Sequence, residues 1–147
     1  MKKSTSVELI SALLILLFTY TAVSKLINFE NFQLSIGEVA LIRPYATFLS
    51  IIVPTVEILI VILLLRFRQW GLYSSFALML TFTLYVVYVI YFSPKTPCSC
   101  GGIIRQMNWK QHLTFNIIFT VLALLGSWLN KRAEERDVTP NLNYSSE

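Results

Sequence analysis

Apolar and polar positions alternate along this chain in long blocks rather than with the short period of an amphipathic helix or strand. Four apolar runs dominate: Leu9–Leu26, with Lys25 as its single charge near the far end; Tyr45–Leu65, with one internal charge, Glu57; Trp70–Phe92, with none; and His112–Leu129. About 20 apolar residues are needed for a helix to cross the hydrocarbon core. Lipid offers no partner for backbone N–H or C=O, so each run must be helical despite its many β-branched residues. The pattern predicts an all-α, polytopic membrane protein whose four transmembrane helices form a bundle. The spans fall at about 8–26, 45–65, 70–92 and 111–129, within one domain over residues 1–132. Residues 133–147 are polar, with Pro140 and several Asn and Ser, and read as a disordered tail.

Composition agrees. Of 147 residues, 55% are hydrophobic and 14% charged, with a mean hydropathy of +0.63; a soluble domain carries about a quarter charged residues. Lys2 and Lys3, the first run and Ala22-Val23-Ser24 also resemble a cleavable signal peptide. A retained helix is the preferred reading, because the run is at the upper length limit for such a peptide.

The net charge of +4 is explained by topology. Seven of the twelve basic residues lie at the N-terminus, in Arg66-Phe67-Arg68-Gln69 and in the tail; five lie on the other side, Lys25 at the end of the first run and Arg43, Lys95, Arg105 and Lys110 in the other two links. The short link is half arginine, and such density marks the cytoplasmic side. Both termini are therefore expected in the cytoplasm, with links 27–44 and 93–111 outside. No basic stripe interleaved with aromatics points to nucleic acid. The bilayer is the expected partner, and aromatics near the span ends (Tyr45, Trp70, Tyr91, Trp109, Trp128) form interface belts. The first outer link, from Ile27 to Glu38, is too polar to span and reads as a short amphipathic segment in the headgroup plane.

Candidate chemistry is concentrated in few residues. The only cysteines, Cys98 and Cys100, lie together in Pro97-Cys98-Ser99-Cys100-Gly101-Gly102. A bridge across one intervening residue needs Cα atoms within about 6.8 Å, hence a turn, which the flanking Pro and Gly residues favour. Such a bridge is strained, and strain makes a disulfide a readier oxidant. A static staple is the weaker reading, because closing so small a loop removes little unfolded-state entropy. Two thiolates plus His112 fall short of the four protein ligands usual for structural zinc, so no metal site is assigned.

His112, the only histidine, lies twelve residues after Cys100 and reads either as a base for a thiol or as an interface residue. Asn116 and Thr120 follow it at i+4 and i+8, on one helix face expected to point inward. Glu57 stands near mid-membrane, where a charge is costly and signals function or an inter-helix tie. Pro54, three residues earlier, frees the Ser50 carbonyl and suggests a kink that opens a cavity. A quinone oxygen or a proton relay at Glu57 is the expectation, while the cofactor itself stays unassigned. Lys25 reads as a side chain reaching for headgroups, with the cysteine loop as its alternative neighbour.

Together these residues carry a resemblance. Ser24-Lys25-Leu26-Ile27-Asn28-Phe29 with Phe32, and Pro54 with Glu57, resemble the DoxX-like superfamily. Cys98-Ser99-Cys100-Gly101-Gly102 with Trp109, His112 and Asn116 is similar to its MauE branch. The resemblance covers about residues 5–130. It implies a four-helix bundle of the bacterial inner membrane that forms or maintains disulfides in exported proteins. It also implies that Cys98 and Cys100 are the redox pair, serving a periplasmic thioredoxin-like partner. The alternatives are a non-catalytic membrane subunit or assembly partner, and a small-molecule or metal transporter using Glu57.

Overall fold

The computed structural model describes residues 2–92 and 108–142, with side chains over 5–92, 108–133 and 135. Within them the chain is helical: α1 Lys2–Ile27, α2 Phe29–Gly37, a 3₁₀ turn Arg43–Tyr45, α3 Ala46–Arg66, α4 Arg68–Phe92 and α5 Trp109–Leu142. No strand occurs among the described residues. Four helices are long and apolar enough to cross a membrane: α1, α3, α4 and α5. Each apolar run of the sequence becomes one of them. α5 continues through Leu142, past residue 132, so the segment to Leu142 is helix where composition suggests disorder.

The four long helices close a ring. α1 packs against α3 and α5, α4 packs against α3 and α5, and α1 and α4 lie diagonally with little contact. Buried Val7, Ile10, Leu14, Phe18 and Ala22 run down one face of α1 at three- and four-residue spacing. The first four meet Ile60 and Leu64 of α3, Leu72 and Met79 of α4 and Ala123 of α5 in the common core.

The polar pattern is inverted relative to a soluble protein. Ser11, Ser50, Glu57, Ser75, Asn116 and Thr120 are buried, while Leu16, Ile62, Leu65 and Leu84 are more than half exposed. In a bilayer the apolar exterior meets lipid, and interior hydroxyls such as that of Ser75 return their protons to their own helix: Ser75 Oγ donates to the Gly71 carbonyl at 2.7 Å.

Small residues set the closest approaches. A Cβ on Gly71 would lie 2.6 Å from the Leu64 backbone, so the α3–α4 hairpin closes only around glycine. α3 runs unbroken through Pro54, as one continuous helix. The first outer link forms the short helix α2, whose Phe32, Ser35 and Ile36 are buried as it packs on α3. Gln33 Nε2 donates to Thr47 Oγ1 at 2.8 Å, and Arg43 Nε to the Gly37 carbonyl at 2.8 Å. These bonds hold α2 across one end of the ring.

Candidate functional site

Glu57 is fully buried, eleven residues into the 21-residue α3, or about 17 Å along it at 1.5 Å per residue. Its partner comes from the end of α1. Lys25 Nζ donates to Glu57 Oε1 at 2.6 Å, and the lysine side chain is 11% exposed. The expectation that Lys25 reaches for headgroups is thus corrected. Its ammonium turns into the ring, because a buried carboxylate offers a stronger partner than the interface and neither charge is stable there alone. Two aromatic rings flank the ammonium, Phe32 of α2 at 5.7 Å and Phe82 of α4 at 5.6 Å to their centroids. At such distances the ring faces add cation–π attraction.

The pair borders a cavity of about 310 Å³. Its walls are mainly apolar and aromatic: Phe18 and Thr21 of α1, Phe32 and Ile36 of α2, Leu49 and Val53 of α3, Phe82 and Tyr85 of α4, and Trp109 and Phe115 of α5. Lys25, Glu57, His112 and Asn116 are its strongly polar residues, and Thr21, Thr81 and Tyr85 add hydroxyl-bearing side chains to the lining. The cavity lies in the half of the ring where α1 and α4 end and α3 and α5 begin. α2 contributes its roof.

Two polar atoms in this wall are unsatisfied. Glu57 Oε2 and Asn116 Nδ2 are buried and make no hydrogen bond. Thr21 neighbours the carboxyl, but its hydroxyl donates to the Phe18 carbonyl at 3.3 Å. An unpaired buried polar group costs about 1–3 kcal/mol, so two facing one cavity describe a site with unmet hydrogen-bonding demand.

The expected inward face of α5 is present. His112 is half-buried, Asn116 is 5% exposed and Thr120 is 9% exposed. The His112 ring lies 6.2 Å from that of Trp109, centroid to centroid. Below, Thr120 Oγ1 donates to the Asn116 carbonyl at 2.7 Å and stands 3.1 Å from Thr83 Oγ1 of α4. Pro54 is buried on α3 one turn before Glu57. Lys25, Glu57, His112 and Asn116 are therefore brought to one cavity. Cys98 and Cys100 lie outside the described residues, in the segment that joins α4 to α5.

Sequence reading misses Phe82, Tyr85 and Ile36 as parts of this wall, and it misses the Lys25–Glu57 pairing. A signal for Thr21 exists: it lies one turn before Lys25, on the same face as buried Leu14 and Phe18. The pairing has a weaker signal, since Lys25 and Glu57 are the only charges inside the first two runs.

No curated protein and no solved structure matches the chain. A family model does, over residues 3–129, which include all four spans up to Leu129, both cysteines and every polar residue of the cavity. By that match the chain belongs to the family described as methylamine utilisation protein MauE, and it is an integral membrane protein of that family.

Proposed function

We propose that this chain is a membrane thiol–disulfide redox protein that supports disulfide formation or maintenance in exported proteins, with Cys98 and Cys100 as its redox pair. The observation that carries the reading is the buried Lys25–Glu57 pair, set in an aromatic-walled cavity at the end of the ring where α4 and α5 are joined through the cysteine segment. A purely structural bundle gains little from such a pair, because hydrophobic replacement of a buried ion pair is often neutral or stabilising.

The charge distribution favours both termini in the cytoplasm and the cysteine segment on the periplasmic side of a bacterial inner membrane. Disulfides persist in that compartment. A thiolate of a periplasmic thioredoxin-like partner attacks one sulfur of the Cys98–Cys100 disulfide. The other sulfur leaves as thiolate, and the partner's second thiol resolves the mixed disulfide. The partner is then oxidised and the pair reduced. Two electrons and two protons pass from the pair to a membrane quinone, which becomes the hydroquinone. His112, a half-buried imidazole at the start of α5, is suited to take a thiol proton.

The experiment is alkylation of Cys98 and Cys100 in intact cells, read as a mass shift, with and without respiratory quinone. The pair is expected oxidised with quinone and reduced without it. Cys98→Ser or Cys100→Ser should abolish activity and trap a mixed disulfide at the remaining cysteine. A pair fixed in one state under both conditions, or normal oxidation of exported proteins in both variants, overturns the proposal.

A further inference from the structure

The cavity has walls for an apolar body, and two polar atoms of its lining residues are left without a hydrogen bond. Read as the carboxylate that its contact with the Lys25 ammonium favours, Glu57 only accepts at Oε2; Asn116 Nδ2 only donates. Lys25 adds N–H groups beyond the one given to Glu57 Oε1. Its volume of about 310 Å³ lies at the lower end of small-molecule sites, which run from roughly 300 to 1,000 Å³.

These atoms restrict the ligand. An acyl chain fills the space but leaves both orphan atoms unpaired. A carboxylate ligand meets Asn116 and Lys25, but it brings a second negative charge beside buried Glu57. A quinone carbonyl accepts from Asn116 and leaves Glu57 Oε2 without a proton. A phenolic hydroxyl offers what each atom lacks, an oxygen to accept from Asn116 and a hydrogen to give to Glu57. The ring of such a ligand lies among Phe32, Phe82, Tyr85, Trp109 and Phe115.

We infer that the cavity binds the head of a lipid-soluble quinone and holds its hydroquinone form more tightly than the quinone, through an O–H bond to Glu57. The inference rests on the redox reading above and deepens it. Two electrons and two protons convert the bound quinone to hydroquinone while the Cys98–Cys100 dithiol becomes the disulfide, so the exchange balances. Tighter binding of the reduced form raises the potential of the bound quinone and draws electrons from the dithiol. A hydrogen bond to a charged acceptor predicts a preference of about tenfold, which is about 30 mV for a two-electron couple.

The test is equilibrium binding of a short-tailed benzoquinone and its hydroquinone to the full-length protein in lipid nanodiscs, read by quenching of tryptophan fluorescence and by dialysis. Saturable binding of both, with the hydroquinone about tenfold tighter, is the expected result. Asn116→Leu should weaken both forms by a similar factor. Glu57→Gln should keep binding and bring the ratio close to one, because an amide oxygen is a weaker acceptor than a carboxylate. Equal affinities, tighter quinone, or no saturable binding by the unmodified chain overturns the inference, whether or not either variant folds. The Cys98→Ser/Cys100→Ser chain should give the unmodified ratio. If the cysteines prove idle, that ratio persists and only the redox reading fails. If cysteine trapping succeeds without the ratio, only the site assignment fails.

Discussion

Lys25 Nζ reaches Glu57 Oε1 at 2.6 Å across the α1–α3 interface, joining the end of one spanning helix to the middle of the next. The two charges are not equally dependent on each other. Glu57 is fully buried, whereas the Lys25 side chain keeps 11% exposure and has a route back to the interface. Removing one partner of a buried pair costs about 3–5 kcal/mol. Lys25→Met is therefore expected to destabilise more than Glu57→Gln, and the double variant less than the sum of the two. Thermal unfolding in mild detergent over the four-member cycle measures this, and additive effects would contradict the pairing.

The α3–α4 hairpin makes a sharper prediction about packing. Gly71→Ala puts a Cβ 2.6 Å from Leu64 Cα and N, atoms that no rotamer change can move. Overpacking of this kind costs about 1–3 kcal/mol. Gly37→Ala meets only the Ala46 Cβ at 3.9 Å and serves as the control. Unfolding midpoints should fall for the first variant and stay nearly unchanged for the second.

At the same end of the ring, Asn130 Nδ2 donates to Gln69 Oε1 at 2.5 Å, tying α5 to the start of α4. Both residues lie near the boundary of their spans, and Gln69 is half-buried. Asn130→Ala should cost about 1 kcal/mol, with the Gln69 oxygen turning to water. A double-mutant cycle with Gln69→Ala reads the coupling, and a value indistinguishable from zero would remove this bond from the account.

His112 separates a chemical role from a structural one. If its imidazole takes the thiol proton, His112→Gln slows thiol exchange at the Cys98–Cys100 pair by about 10²-fold or more, the usual scale for a lost general base. The unfolding midpoint should change little, since the ring is half-buried and lies 6.2 Å from that of Trp109. Stopped-flow reduction of the pair by a small dithiol measures the rate. An unchanged rate would return His112 to the interface.

The spans were legible because a single physical demand, backbone hydrogen bonding within lipid, acts on each segment alone. The inward face of α5 was legible for a related reason: the helical repeat places His112, Asn116 and Thr120 on one side before any partner is known. Lys25 shows where local reasoning stops. At the end of a span its long chain satisfies itself equally well at a headgroup or against a buried acid, and one-dimensional position does not separate the two. The roof over the cavity was hidden likewise, since the polar residues of α2 suit a headgroup plane, while its burial depends on the facing surface of α3.

Sequence by itself determined the number of spans, the inward face of α5, and the presence of one acid in the second span and one cysteine pair between the third and fourth. Each follows from period, length or composition within a single segment. Only the tertiary structure decided that Lys25 belongs to Glu57, that Phe32 and Phe82 flank their contact, and that Glu57 Oε2 and Asn116 Nδ2 are left unpaired in the wall of one cavity. Those relationships depend on the rotation and depth of α1, α3, α4 and α5 against one another. Both are set by small residues such as Gly71 and by core side chains drawn from all four helices, and no single segment carries that information.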